Sequence, residues 1–281
     1  MPKVSVLMPL YKTNENYLRE AIESILNQTF RDFEFLILDD CPEDNREDIV
    51  KSYQDKRIKY FRNEKNLGIT ASRNKLIDLA EGEYIAVFDH DDISLPTRLE
   101  KEAAYLDSHP EIGVVSGQLE FFPAKKVSDH PQNNMEIKRR LMSGDVVAHT
   151  AMMIRKSVLD TYGIRYQAEY SPAEDYMLCL RLLKYTMFYN FQEILVKYRD
   201  FGGNTSHVQK EKMINGDAMC RSFAAKEYPY LYYQMGHKKK WIKLFGFMPF
   251  IKIKIKPEKI SGYLFGFILL YTLKGSYSHK K

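Results

Sequence analysis

Tyr84-Ile85-Ala86-Val87-Phe88-Asp89-His90-Asp91-Asp92 carries an apolar run straight into three carboxylates within four positions. A run this short and this apolar reads as a strand buried on both faces, the kind found in parallel sheets covered by helices. Open sheets of that type take their ligands outside the carboxyl ends of the strands, where these acids are fixed. Hard divalent cations such as Mg²⁺ or Mn²⁺ prefer oxygen ligands and are often held through one or two carboxylates while substrate phosphates fill other positions. The stretch therefore predicts an α/β fold with a site for a metal carrying phosphate. Taken alone, the same acids also fit a plain structural role, as a loop capping the helix that starts near Pro96.

Working outward, strand and helix signals alternate. Residues 4–8 form an apolar run ended by Pro9, and Leu18, Ile22, Ile25 and Leu26 follow at helical spacing. Residues 33–38 read as a second strand closing on Asp39-Asp40, residues 58–61 as a short third, and residues 69–81 as a helix stopped by Gly82 in the place of a C-cap. This β-α-β-α-β-α-β order predicts a mainly parallel sheet flanked by helices. Residues 114–119 add a strand, and the polar stretch 123–134 reads as a long loop. A third acidic pair, Glu174-Asp175, opens a helix that runs through Met177, Leu178, Leu180, Leu182 and Leu183. Three acid clusters on one sheet edge repel each other unless a cation or a hydrogen-bond-donating ligand lies between them. A metal together with a nucleobase answers that demand.

Length and composition favour one large domain with an appendage. The chain has 281 residues, 44% apolar and 28% charged, which excludes disordered and collagen-like classes. Cys41, Cys179 and Cys220 lack C-x-x-C spacing, so a disulfide framework is not expected and a reducing compartment fits best. The first ten residues lack the charged and apolar regions of a secretory signal, so a cytoplasmic location is expected. The net charge of +5 hides an asymmetry: residues 237–281 hold eleven lysines and one acid, while the remainder holds 31 basic and 36 acidic residues. A basic tail on an acidic head points to an anionic surface as partner. Its apolar stretch, residues 260–273, is shorter than the ~20 residues of a transmembrane helix. Interfacial or re-entrant insertion at the inner face of the cell membrane is expected, each lysine adding on the order of 1 kcal/mol near anionic lipid. The alternative is a terminal helix packed on the head or on a second copy in a homodimer. Nucleic acid is not expected as partner, because a surface tracking phosphates has no use for residues 264–270, all but one of them apolar. The expected boundaries are 1–230 for the catalytic head and 231–281 for the tail.

Several motifs together resemble glycosyltransferase family 2. They are Val4-Ser5-Val6-Leu7-Met8-Pro9-Leu10-Tyr11, Ser24-Ile25-Leu26-Asn27-Gln28-Thr29-Phe30, Leu38-Asp39-Asp40, Asn66-Leu67-Gly68-Ile69-Thr70-Ala71-Ser72-Arg73-Asn74, Asp89-His90-Asp91-Asp92 and Glu174-Asp175, in the family's order over roughly the first 210 positions. The resemblance implies a GT-A fold and an inverting transfer from a nucleotide-diphosphate sugar. It implies a uridine pocket around Pro9, Tyr11 and Asp40, with Asp40 accepting the uracil N–H, and Arg73 near the nucleotide and diphosphate. Asp89 and Asp91 match the family's D-x-D pair, Asp91 as direct metal ligand and Asp89 nearer the ribose. Asp175 matches the catalytic base, with Glu174 beside it as an acceptor contact. His149 resembles a histidine where acceptor and donor sugar meet. His207, in the segment from Tyr198-Arg199 onward that looks like a flap over the donor, would reach metal or diphosphate.

Chemistry agrees with those roles. Displacement at an anomeric carbon passes through an oxocarbenium-like state and needs a base opposite the leaving group. The departing diphosphate develops charge that a metal and an arginine can neutralise. The implied reaction is transfer from a UDP-sugar to a saccharide or lipid-linked acceptor in surface polysaccharide synthesis. A sugar nucleotidyltransferase would need a glycine-rich loop after the first strand, and here that loop is Pro9-Leu10-Tyr11-Lys12-Thr13. A non-catalytic scaffold at the membrane is the remaining alternative, opposed by the intact Asp40, Asp91 and Asp175.

Overall fold

The computed structural model describes residues 1–44, 46–234, 239–244, 248–256, 259–264 and 268–274. The chain divides into two compact units, Met1–Cys220 and Arg221–Lys281.

The first unit opens with β1 (Val4–Leu10), α1 (Glu15–Leu26), β2 (Phe33–Asp39), α2 (Glu47–Lys51), β3 (Ile58–Arg62), α3 (Ile69–Leu79) and β4 (Tyr84–Val87). Every residue of β1, β2 and β4 is buried, as strands covered on both faces require, and the two polar residues inside β1 and β2, Ser5 and Glu34, satisfy each other through the Ser5 O–H donating to Glu34 Oε1 at 2.5 Å. There follow β5 (Ile93–Ser94), α4 (Arg98–Ser108), β6 (Ile112–Phe122), β7 (Lys126–Val127), α5 (Asn134–Arg140), β8 (Met153–Arg155), α6 (Lys156–Thr161), α7 (Glu174–Leu182), β9 (Met187–Arg199), α8 (Thr205–Val208) and the start of α9 (Lys210–Glu227). One nine-stranded sheet runs β3-β2-β1-β4-β8-β6-β9-β5, with β7 paired to β6. The pairs among β3, β2, β1 and β4 are parallel, as is β6 with β9, while β8 runs antiparallel to both its neighbours. The α/β expectation holds, and the loop expected at 123–134 contains the short strand β7.

The strand order fixes where a ligand can enter. From β1 the chain winds outward to β2 and β3, then returns to place β4 on the other side of β1. That reversal leaves a crevice at the carboxyl ends of β1 and β4, where Tyr11 and Asp89 follow their strands.

Gln28, from the second motif, and Gly82 both serve the fold. Buried Gln28, just past α1, donates to Ser94 Oγ (3.1 Å), Leu95 O (2.8 Å) and Ser24 O (3.0 Å), and accepts the Leu99 N–H at 3.1 Å. It thereby locks the segment after the aspartate cluster onto α1. Gly82 does not cap α3, which ends at Leu79 with extended Ala80 at its cap. A Cβ at position 82 would lie 2.6 Å from Ser5 N, so close backbone approach to β1 is what requires glycine there.

The second unit contains the remainder of α9, then α10 (Pro229–Gln234) and an antiparallel meander of β10 (Lys239–Leu244), β11 (Met248–Lys256), β12 (Lys259–Leu264) and β13 (Ile268–Lys274). The apolar stretch 260–273 is therefore not one segment. It is divided between β12 and β13, which pair in the register Ile260↔Leu273 and Ser261↔Thr272. The alternation Ile251-Lys252-Ile253-Lys254-Ile255-Lys256 has the period of a strand, and β11 covers it. Among the described residues, no helix is long and apolar enough to cross a membrane.

Candidate active site

The crevice is organised around Arg73, delivered by the second turn of α3. Its Nη1 donates to Glu174 Oε1 at 2.6 Å and its Nη2 to Asp89 Oδ1 at 3.3 Å. One fork on α3 thus joins the segment after β4 to the start of α7, the Arg73–Glu174 arm spanning 101 positions of sequence. Burial works against the guanidinium charge, but Asp89 and Glu174 outweigh it and Arg73 is raised further. The guanidinium also faces the Tyr166 ring, 5.6 Å from its centroid.

The aspartates past β4 sit in three different states. Burial pushes the Asp89 carboxyl up, yet Arg73 holds it below the usual carboxylate range. Asp91 is raised by burial first and by the Asp89 charge after it, and Asp92 is raised well above the usual range by burial and by both neighbours. Asp92 is buried, and its Oδ1 accepts the Arg199 N–H at 2.9 Å. Half-buried Asp91 thus stays raised even though His90 and Arg199 act to lower it. Buried Thr150 fixes the loop from the other side, its Oγ1 accepting the Asp89 N–H at 3.2 Å.

Glu174 and Asp175 form the first turn of α7, where the helix dipole favours negative charge. Glu174 is buried, with Oε1 on Arg73 and Oε2 without a partner. Half-buried Asp175 accepts the Tyr176 N–H at 2.7 Å through Oδ1 and is pushed up to about 6, by burial and then by the Glu174 charge. His149 is buried and pushed down to about 3 by burial and Arg73, so it is neutral near pH 7. Its Nε2 lies 2.8 Å from Tyr166 Oη. Tyr166 is itself held by Asn74, which exchanges side-chain bonds with its backbone N–H and C=O at 2.9 and 3.0 Å.

Asp40, which the sequence assigns to the base, follows directly on β2. It is buried, its N–H bonded to Leu10 O, and its carboxylate accepts Asn63 Nδ2 and the Leu67 and Gly68 N–H groups, each at 2.8 Å. Gly68, at φ +83, caps the start of α3, so Asp40 anchors the loop that presents Arg73. Its carboxylate oxygens have about four acceptor positions and three are occupied, which leaves one for a ligand N–H. Asp39 likewise accepts three bonds, from Cys41 N–H, Arg46 N–H and Tyr60 O–H, and is buried within the fold. Pro9 is buried in β1, whereas Tyr11 beyond it is exposed.

Five expected site residues, Arg73, Asp89, Glu174, Asp175 and His149, therefore belong to one neighbourhood. His207 stands apart: it is exposed and its Nε2 lies 2.7 Å from Asp200 Oδ1. Among the described residues, no three His, Cys, Asp or Glu side chains converge to cage a metal. Tyr166, Thr150 and Arg199 were not foreseen. Their contacts run through backbone atoms and across long sequence separations, which no local pattern records.

The mainly parallel sheet flanked by helices, with an arginine-bridged acid cluster at its switch point, is an architecture of the GT-A type. The model of the family described as "Glycosyl transferase family 2" matches residues 5–163, more than half of the chain. An uncharacterized glycosyltransferase of Methanocaldococcus jannaschii is 36% identical over 223 residues, covering 75% of this chain and 76% of that protein. The crystal structure of S. aureus TarS in complex with UDP-GlcNAc superposes with a TM-score of 0.69 at 21% identity, over 83% of this chain and 71% of that one. The mannosyltransferase PcManGT from Pyrobaculum calidifontis, in complex with GDP-Man and Mn²⁺, gives 0.64 at 13% identity, over 83% and 69%. This chain belongs to glycosyltransferase family 2 and is a glycosyltransferase.

Proposed function

We propose that the protein is a metal-dependent inverting glycosyltransferase that moves a sugar from a UDP-sugar to a saccharide or lipid-linked acceptor in surface polysaccharide synthesis, at the inner face of the cell membrane. The observation that carries this reading is the Arg73 bridge, which sets the D-x-D carboxylate Asp89 and the acid pair Glu174-Asp175 in one crevice. The residues suit a hard divalent ion. The donors are carboxylate oxygens, and burial together with repulsion from neighbouring aspartates raises both Asp91 and Asp92, which a cation would relieve. Asp91 and Asp89 would hold the ion, with phosphate and water completing its shell; His207 would need to leave Asp200 to join them. When bound, the ion would neutralise charge developing on the leaving diphosphate. Arg73 contributes a fixed positive charge beside it. Asp175, raised towards neutrality, is matched to accept the acceptor hydroxyl's proton. UDP-GlcNAc bound to TarS supports a uridine donor by analogy, and GDP-Man with Mn²⁺ on PcManGT supports a metal. A thermal-shift screen of nucleotide sugars with and without Mn²⁺ tests the reading, because a ligand that binds the native state stabilises it by mass action. Equal shifts with and without metal, or none for any UDP-sugar, would count against it.

Asp40→Ala should weaken UDP and free uridine alike, since the expected contact is to the base and not to the phosphates. Unchanged uridine affinity in calorimetry would remove Asp40 from the base pocket. The tail is tested separately. Full-length protein should sediment with anionic vesicles and release as salt rises, because attraction between exposed charges is screened over ~8 Å at physiological ionic strength. Deleting residues 237–281 should abolish that sedimentation. Equal binding by both forms would mean that the tail is not the anchor, and loss of a stable dimer on truncation would favour packing between two copies.

A further inference from the structure

The last residue of β9 makes more contacts to the aspartate loop than any of the residues expected from the sequence. Arg199 Nε donates to the backbone O of Asp91 at 2.8 Å, while its own N–H donates to Asp92 Oδ1 at 2.9 Å. Its Nη2 pairs with Glu20 on α1. The guanidinium plane lies between two rings, 4.0 Å from the centroid of Tyr17 and 4.6 Å from that of Phe122. Its side chain is only 12% exposed, so the fork is held on every side. Directly beyond it, buried Asn204 closes the following turn, donating to Arg199 O at 2.9 Å and accepting the Phe201 N–H at 2.7 Å. Phe201 then packs edge-on against Tyr17.

We propose that Arg199 is a positioning residue that clasps the Asp91-Asp92 loop to α1 and to the 198–204 segment, holding Asp91 in the pose that takes the divalent ion. This inference rests on the metal-dependent reading above. The guanidinium bonds the Asp91 peptide rather than its carboxylate, so its contact orients the aspartate while its charge reaches the carboxylate only through space. Partners that orient a metal ligand from behind are commonly worth 10–100-fold in metal affinity.

Charge and positioning give opposite signs. Arg199 is a cation near a cation site, so if charge alone mattered, Arg199→Ala would bind Mn²⁺ at least as well as the parent. Positioning demands that it bind worse. Arg199→Lys keeps the charge but replaces a planar fork, able to serve Asp91 O and Glu20 together, by a single point donor.

The test uses the full chain, with Mn²⁺ and UDP as probes and melting temperature as readout. The Mn²⁺ concentration giving half of the UDP-dependent stabilisation should rise roughly 10–100-fold in both Arg199→Ala and Arg199→Lys. Affinity for free uridine without metal should not change. An unchanged or lowered Mn²⁺ midpoint overturns the proposal, as does an equal loss of uridine and UDP affinity, which would mark Arg199 as merely structural. If Arg199→Ala does not fold, Arg199→Lys decides. Asp91→Ala run alongside separates the two levels: if it leaves Mn²⁺-dependent UDP binding intact, the metal reading itself has failed.

Discussion

Asp175→Asn should lower sugar transfer by roughly 10²–10⁴ while donor and metal affinity stay at parent values. That is the range contributed by general acid–base catalysis, and it corresponds to about 3–5 kcal/mol of barrier. Asparagine is nearly isosteric and keeps a carbonyl oxygen to accept the Tyr176 N–H, but it cannot take up a proton from an acceptor hydroxyl. The same residue sets the expected pH profile. Burial and the Glu174 charge push Asp175 up to about 6, so the parent rate should fall as pH drops through that value and the carboxylate becomes protonated. Folding raises this carboxyl above its ordinary value, so the folded state favours the protonated form and loses stability as pH rises through about 6. The Asn variant has nothing to ionise there and should melt no lower than the parent at neutral pH. A rate loss accompanied by a large fall in melting temperature would therefore not support the assignment. Product configuration, read by NMR, completes the test: near-parent transfer by Asp175→Asn, or retention of the donor's anomeric configuration, removes Asp175 as base in an inverting displacement.

How far the sequence disclosed this arrangement depends on which physical cause placed each residue. The strands β1, β2 and β4 are legible because burial on both faces imposes mostly apolar runs, broken in β1 and β2 only by Ser5, Glu34 and the strand-end Asp39, and their alternation with helices implies the parallel order. The strand-end position of Asp89 follows from that, and so does a crevice between β1 and β4. The Arg73 bridge to Glu174 was reachable only through the combined motifs, since nothing local relates positions 101 residues apart. Arg199 lies in a segment that the sequence suggests folds over the donor, yet its clasp on the Asp91 peptide runs side chain to backbone and leaves no compositional trace. Gly82 has the sequence context of a helix cap, but close approach to Ser5 is what requires glycine there. In the tail, net charge and total apolarity obscured a pattern that was present. Strict Ile-Lys alternation over 251–256 has period two, and the chain there is strand β11.

Asp91→Ala should abolish the metal-dependent part of nucleotide-diphosphate binding and leave the fold intact. Removing a direct ligand should cost at least the 10–100-fold in affinity that changes behind a ligand already cost. The effect on transfer should be larger, because a metal contributes several kcal/mol to stabilising charge on a phosphoryl leaving group, about 10²–10⁴ in rate. The electrostatics of the loop make the variant's own stability informative. Asp91 is raised by burial and by Asp89, and Asp92 is raised by burial, Asp89 and Asp91. Groups raised in this way lose folding stability as they ionise, so deleting one of them relieves the loop at neutral pH. Ligand-free Asp91→Ala should therefore melt at or above the parent temperature, while the increment that Mn²⁺ and UDP add together disappears. Asp91→Asn sharpens the comparison. It removes the same repulsion but keeps a neutral oxygen donor, so it should retain more metal-dependent UDP binding than the alanine variant. Melting curves of parent, Ala and Asn forms, each titrated with Mn²⁺ at fixed UDP, give all three quantities. Undiminished Mn²⁺-dependent UDP affinity in Asp91→Ala would transfer the metal to other ligands or remove it from the reaction. A lower ligand-free melting temperature would instead mean that Asp91 is held in the fold by contacts that outweigh its repulsion from Asp89 and Asp92.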